Sequence, residues 1–146
     1  MTDLSRQHQK YTDTTAAHMA GDPDAIPGDC WRTALACLLE VPRDTVPHFI
    51  HLYPDEGSEW WHASVKWVEE QMPGWTLYNL VPEFPVYLHP EDSPKKILLT
   101  GQSPRGNWQH VVVADALTGE LIHDPFPSGA GVLDRLDVAA LVTKEN

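Results

Sequence analysis

The chain has 146 residues, with 10 Lys and Arg against 21 Asp and Glu, for a formal charge of −11. At this length a single domain with a buried core is the default, and 42% hydrophobic with 21% charged residues excludes a wholly disordered chain. The acidic balance argues against nucleic acid as a partner, since phosphate contacts need a basic face, and no apolar run reaches the ~20 residues of a membrane span. Met1 to Ala20 is polar and lacks the apolar stretch of a secretory signal. An acidic surface of this kind suits a basic partner or substrate. The two cysteines, Cys30 and Cys37, are too few for a disulfide-stapled secreted fold. They sit about two helical turns apart, roughly 10 Å along the axis, too far to bridge. A cytoplasmic protein with two free thiols is expected.

Residues 1–29 are polar and broken by Gly21-Asp22-Pro23 and Pro27-Gly28-Asp29. The first 24 read as an N-terminal arm, with one short helical turn near the start, on a single domain spanning 1–146. Cys30 to Leu39 has no Gly or Pro and is rich in small and apolar side chains. It predicts a helix buried on most sides, with Asp29 as its N-cap and Pro42 marking its end. Thr45 to Tyr53 is a Pro-broken connection with one helical turn around Val46 to Phe49. Ser58 to Gln71 predicts a second helix. Its stripe runs through Trp61, Val65, Val68 and Met72, with Trp60, Ser64 and Trp67 alongside, and Pro73-Gly74 stops it.

The period then changes. Trp75 to Leu80, Pro85 to Leu88, Lys96 to Gly101, Trp108 to Ala114 and Glu120 to Asp124 predict strands, the last two joined as a hairpin through Leu117-Thr118-Gly119. Leu136 to Thr143 predicts a closing helix. Helices first and an antiparallel sheet second give an α+β class.

Three positions carry potential chemistry. Cys30 opens a helix, where partial positive charge and unpaired N–H groups stabilise a thiolate; Cys37, among Leu and Ala, reads as a core residue. His110 begins a strand after the loop Ser103 to Asn107. Asp124, in His123-Asp124-Pro125, ends the partner strand, where a carboxylate can fix an imidazole tautomer and stabilise its charged form. Which of His123 and Asp124 meets His110 depends on register. An odd hairpin loop centred on Leu117 sets Asp124 opposite His110, whereas an even one brings His123 to that face. Gly119 suits a three- or five-residue loop with a bulge, so Asp124 is expected, with His123 in packing. Cys, His and Asp in this order make the nucleophile, base and orienting group of a cysteine hydrolase.

These residues resemble the papain-like cysteine peptidase superfamily. Gly28-Asp29-Cys30-Trp31 is similar to the Cys-Trp helix start of papain. His110-Val111-Val112-Val113-Ala114 and the stretch from His123 to Gly131 resemble the bacterial double-glycine leader peptidases and small relatives from bacteria and phages. The resemblance spans residues 25–133. It implies a papain-like fold, with the Cys30 helix packed on the C-terminal sheet. Cys30 would be nucleophile, His110 base and Asp124 the orienting acid, cleaving an amide in a peptide or protein substrate. One departure concerns the oxyanion hole. The family places a Gln about six residues before the Cys; here that position is Asp24, and Gln7 and Gln9 are distant in sequence. Gln102, Gln109 or His18, with the Cys30 backbone N–H, are the alternative donors. Without a donor the fold would be a binding module, and with an amine acceptor an acyltransferase.

Trp31, Gln109 and Trp61 are the candidate substrate contacts. Trp67 is assigned to the core, since aromatic residues at helical spacing usually pack. Glu69-Glu70 reads as a solvated face, and Pro127 to Gly131 as a flexible rim loop beside the site. His48, His51 and His62 cluster in sequence, but no HExxH or CxxC spacing is present, and neither a metal nor an organic cofactor is expected. Zinc held by Cys30, His110 and Asp124 ranks last among the readings.

Overall fold

The computed structural model describes residues 3–54, 57–88 and 95–144. It is α+β. Among these residues, four helices stand before five antiparallel strands: α1 (Thr15–Met19), α2 (Cys30–Leu39), α3 (Phe49–Leu52), α4 (Glu59–Gln71), β1 (Trp75–Leu80), β2 (Lys96–Gln102), β3 (Gln109–Asp115), β4 (Leu121–His123) and β5 (Asp137–Thr143). The strands run in the order β1-β5-β2-β3-β4. No helix among the described residues is long and apolar enough to cross a membrane.

The sheet is apolar on both faces, which explains the unbroken apolar runs in β2 and β3. On one face Leu98, Val111, Val113 and Ala139 pack against Trp31, Ala34, Leu35 and Cys37 of α2, with Val68 of α4 beyond. Alternation sends Ile97, Leu99, Val112, Ala114, Val138 and Ala140 to the other face. Val86 and Leu88 cover them there.

Three expectations are corrected. Residues 137–143 form β5, not a closing helix. Val138 to Val142 is a short apolar run, which fits either state by pattern. Its place between β1 and β2, with Val138 and Ala140 buried on one face and Ala139 on the other, decides for strand. Pro85 to Leu88 is not a strand; Pro85 has no N–H to donate, and among the described residues the segment meets the sheet's β3–β4 turn through the Val86 N–H, which donates to the Ala116 carbonyl. Asp29 precedes α2 but its side chain makes no cap hydrogen bond. The buried Asp29 carboxylate instead accepts from the backbone N–H groups of Lys10 and Tyr11 and from Arg32 Nε at 2.8 Å.

That carboxylate is one of several ties that strap the N-terminal segment across the molecule. The Gln7 side chain donates to the Leu4 and Val41 carbonyls and accepts from the Arg43 N–H. The Gln7 carbonyl meets His123 Nε2 at 2.6 Å, and the Gln9 N–H donates to the Pro125 carbonyl at 2.9 Å. The polar arm of the sequence reading is thus a fixed part of the domain from residue 3 onward. Helix α1 lies within it and was not expected; the helical turn expected around Val46 to Phe49 starts at Phe49 instead.

Candidate active site

Cys30 is the first residue of α2, and its side chain is half-buried. Pro27 and Gly28 bring the chain to it at close quarters. A Cβ on Gly28 would lie 2.7 Å from Thr15 Oγ1 and 3.1 Å from Gln9 Nε2, so only Gly fits between the strap and the helix start. The first turn closes through the Thr33 N–H and Oγ1, both bonded to the Asp29 carbonyl.

His110 lies near the start of β3, paired with Gly101, and is 2% exposed. Its Nε2 lies 2.6 Å from Asp124 Oδ1. The Cys30 thiol lies near enough to the same ring to act on its charge, and the two side chains line one groove. Burial opposes charge on His110, yet the Asp124 hydrogen bond and the thiol together lift its pKa to about 9. Burial likewise opposes charge on Asp124, but His110 and the N–H groups of Phe126 and Gly131 hold its carboxyl below the usual range. The pair is therefore an imidazolium and a carboxylate at neutral pH.

Asp124 reaches this position by a register change. Ala114 pairs with Leu121, which by itself is the even register that brings His123 to the His110 face. One step on, however, Val113 pairs with His123. Ile122 is the extra residue of a bulge, and its carbonyl accepts from Arg6 Nη1 at 3.1 Å. The one-residue shift restores Asp124 to the alternation of Val112 and His110. Gly119 is left-handed, φ 77°, as expected for the turn. The expected direct opposition of His110 and Asp124 is not found: Asp124 lies just past the end of β4 and reaches His110 along the sheet edge. There its Oδ1 also accepts from the Phe126 N–H and its Oδ2 from the Gly131 N–H. The residues 127–131 loop thus does border the site. His123 points to the strap and to His8, and burial depresses its pKa.

Cys30 and His110 open into a groove of about 550 Å³. Gln109 and His18 line it. Trp31 contributes to its wall but is buried, with its indole N–H donating to Ser64 Oγ at 2.9 Å and its ring against Trp60 and Trp61. Trp61 is not among the lining residues, whereas Trp60 is. Trp67 packs on Phe49 in the core. Gln102 lies outside the groove lining, and so does Asp24, which is exposed and bonded to Asp22.

The residue that sequence reasoning missed is Gln9. Twenty-one positions from Cys30 in sequence, it is carried to the groove by the strap and buried there. One N–H of its amide donates to the Tyr11 carbonyl at 2.7 Å, and the Oε1 has no partner among the described residues. Its Nε2 stands 3.1 Å from where a Cβ on Gly28 would lie, two residues before Cys30. No local sequence signal marks Gln9; only the pairing of the strap with Asp29 and Pro125 brings it in.

His48 is buried with Nε2 on the Pro27 carbonyl at 2.8 Å and its ring stacked on Tyr11. Burial depresses its pKa. Among the described residues, no group of three or more His, Cys, Asp or Glu side chains converges as a metal site.

A half-buried thiol, an imidazole fixed by a buried carboxylate, and the Gln9 amide around one groove are the groups that adding a thiolate to a carbonyl and returning a proton to a leaving amine require. No family model matches the chain, and neither does any curated protein or solved structure.

Proposed function

We propose that the chain is a papain-like cysteine hydrolase that cleaves an amide bond in a peptide or protein. The observation that carries this reading is the buried His110–Asp124 pair, its ring shared with a half-exposed thiol at the start of a ten-residue helix. A packing histidine does not need a buried carboxylate that is itself clamped by two backbone N–H groups.

In this reading the Cys30 thiolate attacks the scissile carbonyl, and the carbonyl π electrons move to oxygen. The oxyanion is met by the Cys30 backbone N–H and the Gln9 amide. Imidazolium His110 gives its proton to the leaving nitrogen, the C–N bond breaks, and a thioester remains on Cys30. Neutral His110 then takes a proton from water, whose oxygen attacks the thioester and releases the acid. Asp124 stays ionised throughout and holds Nε2.

The test is covalent profiling with electrophilic amide mimics, together with incubation against a proteome-derived peptide library. The wild type should form a Cys30 adduct and generate new peptide termini, and Cys30→Ala should do neither. Identical cleavage patterns from both proteins would sink the reading.

A further inference from the structure

The groove carries a charge opposite to that of the molecule. Its described lining includes Arg105 and His110 and no Asp or Glu, in a chain with more than twice as many acidic as basic residues. Asp124 lies beneath this lining with both oxygens engaged.

Arg105 stands out within it. Its guanidinium carbon lies 3.4 Å from the centroid of the Phe126 ring. Its backbone N–H donates to Ser103 Oγ at 3.1 Å, inside the loop that the Ser103 N–H closes on the Trp108 carbonyl. The side chain is thus fixed in place from the ring below and from its own loop. Its Nη1 is buried with no hydrogen-bond partner, and it forms no ion pair among the described residues. Asp124 is a carboxylate close enough to act on it, and the Cys30 side chain is also near. A guanidinium stacked on an aromatic face keeps its donors in the plane of the fork, the geometry that receives a carboxylate with two parallel bonds. A structural arginine so placed would be expected to meet a protein acceptor; this one is left with its donors unmatched at the edge of the groove that holds Cys30.

We propose that Arg105 is a specificity residue that receives a carboxylate of the substrate, so that the preferred amide carries an acidic group next to the bond attacked. The identity of the attacked bond rests on the hydrolase reading; the recognition of an anion beside Cys30 does not. An acidic side chain and a free chain terminus present the same group.

The test is the alkylation of Cys30 in the intact chain, at low salt and near neutral pH, by two reagents of similar size. Iodoacetate carries a carboxylate and iodoacetamide a neutral amide; the modified peptide is quantified by mass. Arg105→Gln should lower the iodoacetate-to-iodoacetamide rate ratio at least about fivefold, the order expected for one charge across a few ångströms of partly solvated groove. The ratio of Arg105→Lys should lie between those of Arg105→Gln and the wild type. An unchanged ratio in Arg105→Gln, or an equal fall with both reagents, overturns the proposal. Peptide pairs differing as Glu against Gln, or as terminal carboxylate against carboxamide, then separate the two sources by kcat/KM. If the ratio shifts but no peptide is cut, anion recognition stands and the hydrolase reading falls. If peptides are cut without regard to a carboxylate, the hydrolase reading stands and the role of Arg105 falls.

Discussion

Replacing Asp124 by Asn keeps the shape of the side chain and removes its charge. Lifting an imidazole from 6.5 to about 9 corresponds to roughly 3 kcal/mol in favour of the cation, at about 1.4 kcal/mol per pH unit. That figure is what survives after burial has worked against the charge, and Cys30 supplies part of it. A hydrogen bond to a charged partner contributes roughly 1.5–3 kcal/mol more than leaving the partner without one. Asp124→Asn should therefore bring the His110 titration down to roughly 7–8. The amide must also turn its NH₂ toward either the Gly131 N–H or the side shared by His110 and the Phe126 N–H, so one of these contacts becomes donor against donor. NMR titration of ring-labelled histidines, with His110 assigned through His110→Gln, reads the change directly. Titration of His110 near 9 in Asp124→Asn as in the wild type would refute the idea that this carboxylate holds the imidazolium. So would a wild-type His110 that titrates at or below the free value.

The thiols should separate sharply: native Cys30 should alkylate with iodoacetamide at least ~100-fold faster than Cys37, because burial pushes the Cys37 thiol up and it is packed under Gln7. Equal rates by peptide mapping would remove Cys30 as nucleophile. Gln9→Ala should reduce amide cleavage by roughly 10²–10³ while leaving iodoacetamide alkylation, which forms no oxyanion, within about threefold; a parallel loss of both would make Gln9 a fold residue only. Stability by urea melts should peak near pH 6.5. His110 binds its proton more tightly folded than unfolded, so its contribution is complete below 6.5 and is lost as pH rises through about 9. His48 and His123, with pKa values held below the free one by burial, remove stability as pH falls below 6.5, and Asp124 removes more near and below pH 3.8. A curve that keeps rising from pH 7 to 9 would contradict this. Gly101→Ala would set a Cβ 2.1 Å from the Asp134 carbonyl oxygen, backbone that cannot swing aside, and should cost roughly 1–3 kcal/mol; an unchanged urea midpoint would show that the chain there has more room.

How much of this is legible in sequence depends on how local each signal is. The Cys30 helix and the β3–β4 hairpin announce themselves through composition and turn chemistry, and they bring Cys30, His110 and Asp124 to one place. The Val138 to Val142 run does not, because an apolar stretch of five residues has no period long enough to choose between helix and strand; its neighbours β1 and β2 choose for it. Asp29 reads as an ordinary cap, and nothing local says that its carboxylate is spent on Lys10 and Tyr11. Gln9 is illegible for the same reason. Its place beside Cys30 is the product of two distant anchors, Asp29 and Pro125, and neither is a motif. The register argument put Asp124 beside His110, where it lies, but through the wrong loop parity, since the bulge at Ile122 undoes an even loop.

That bulge makes the site depend on counting. With Ala114 still paired to Leu121, one further residue inserted before His123 exchanges the neighbour of His110 from a carboxylate to an imidazole, whereas two leave its face unchanged. Deletion of Ile122 alone would remove the bulge and still leave Val113 opposite His123, so Asp124 would keep the face it shares with His110. Length variation here should therefore be tolerated in pairs, and single-residue changes should survive only where they remove this bulge or where a second bulge arises to cancel them.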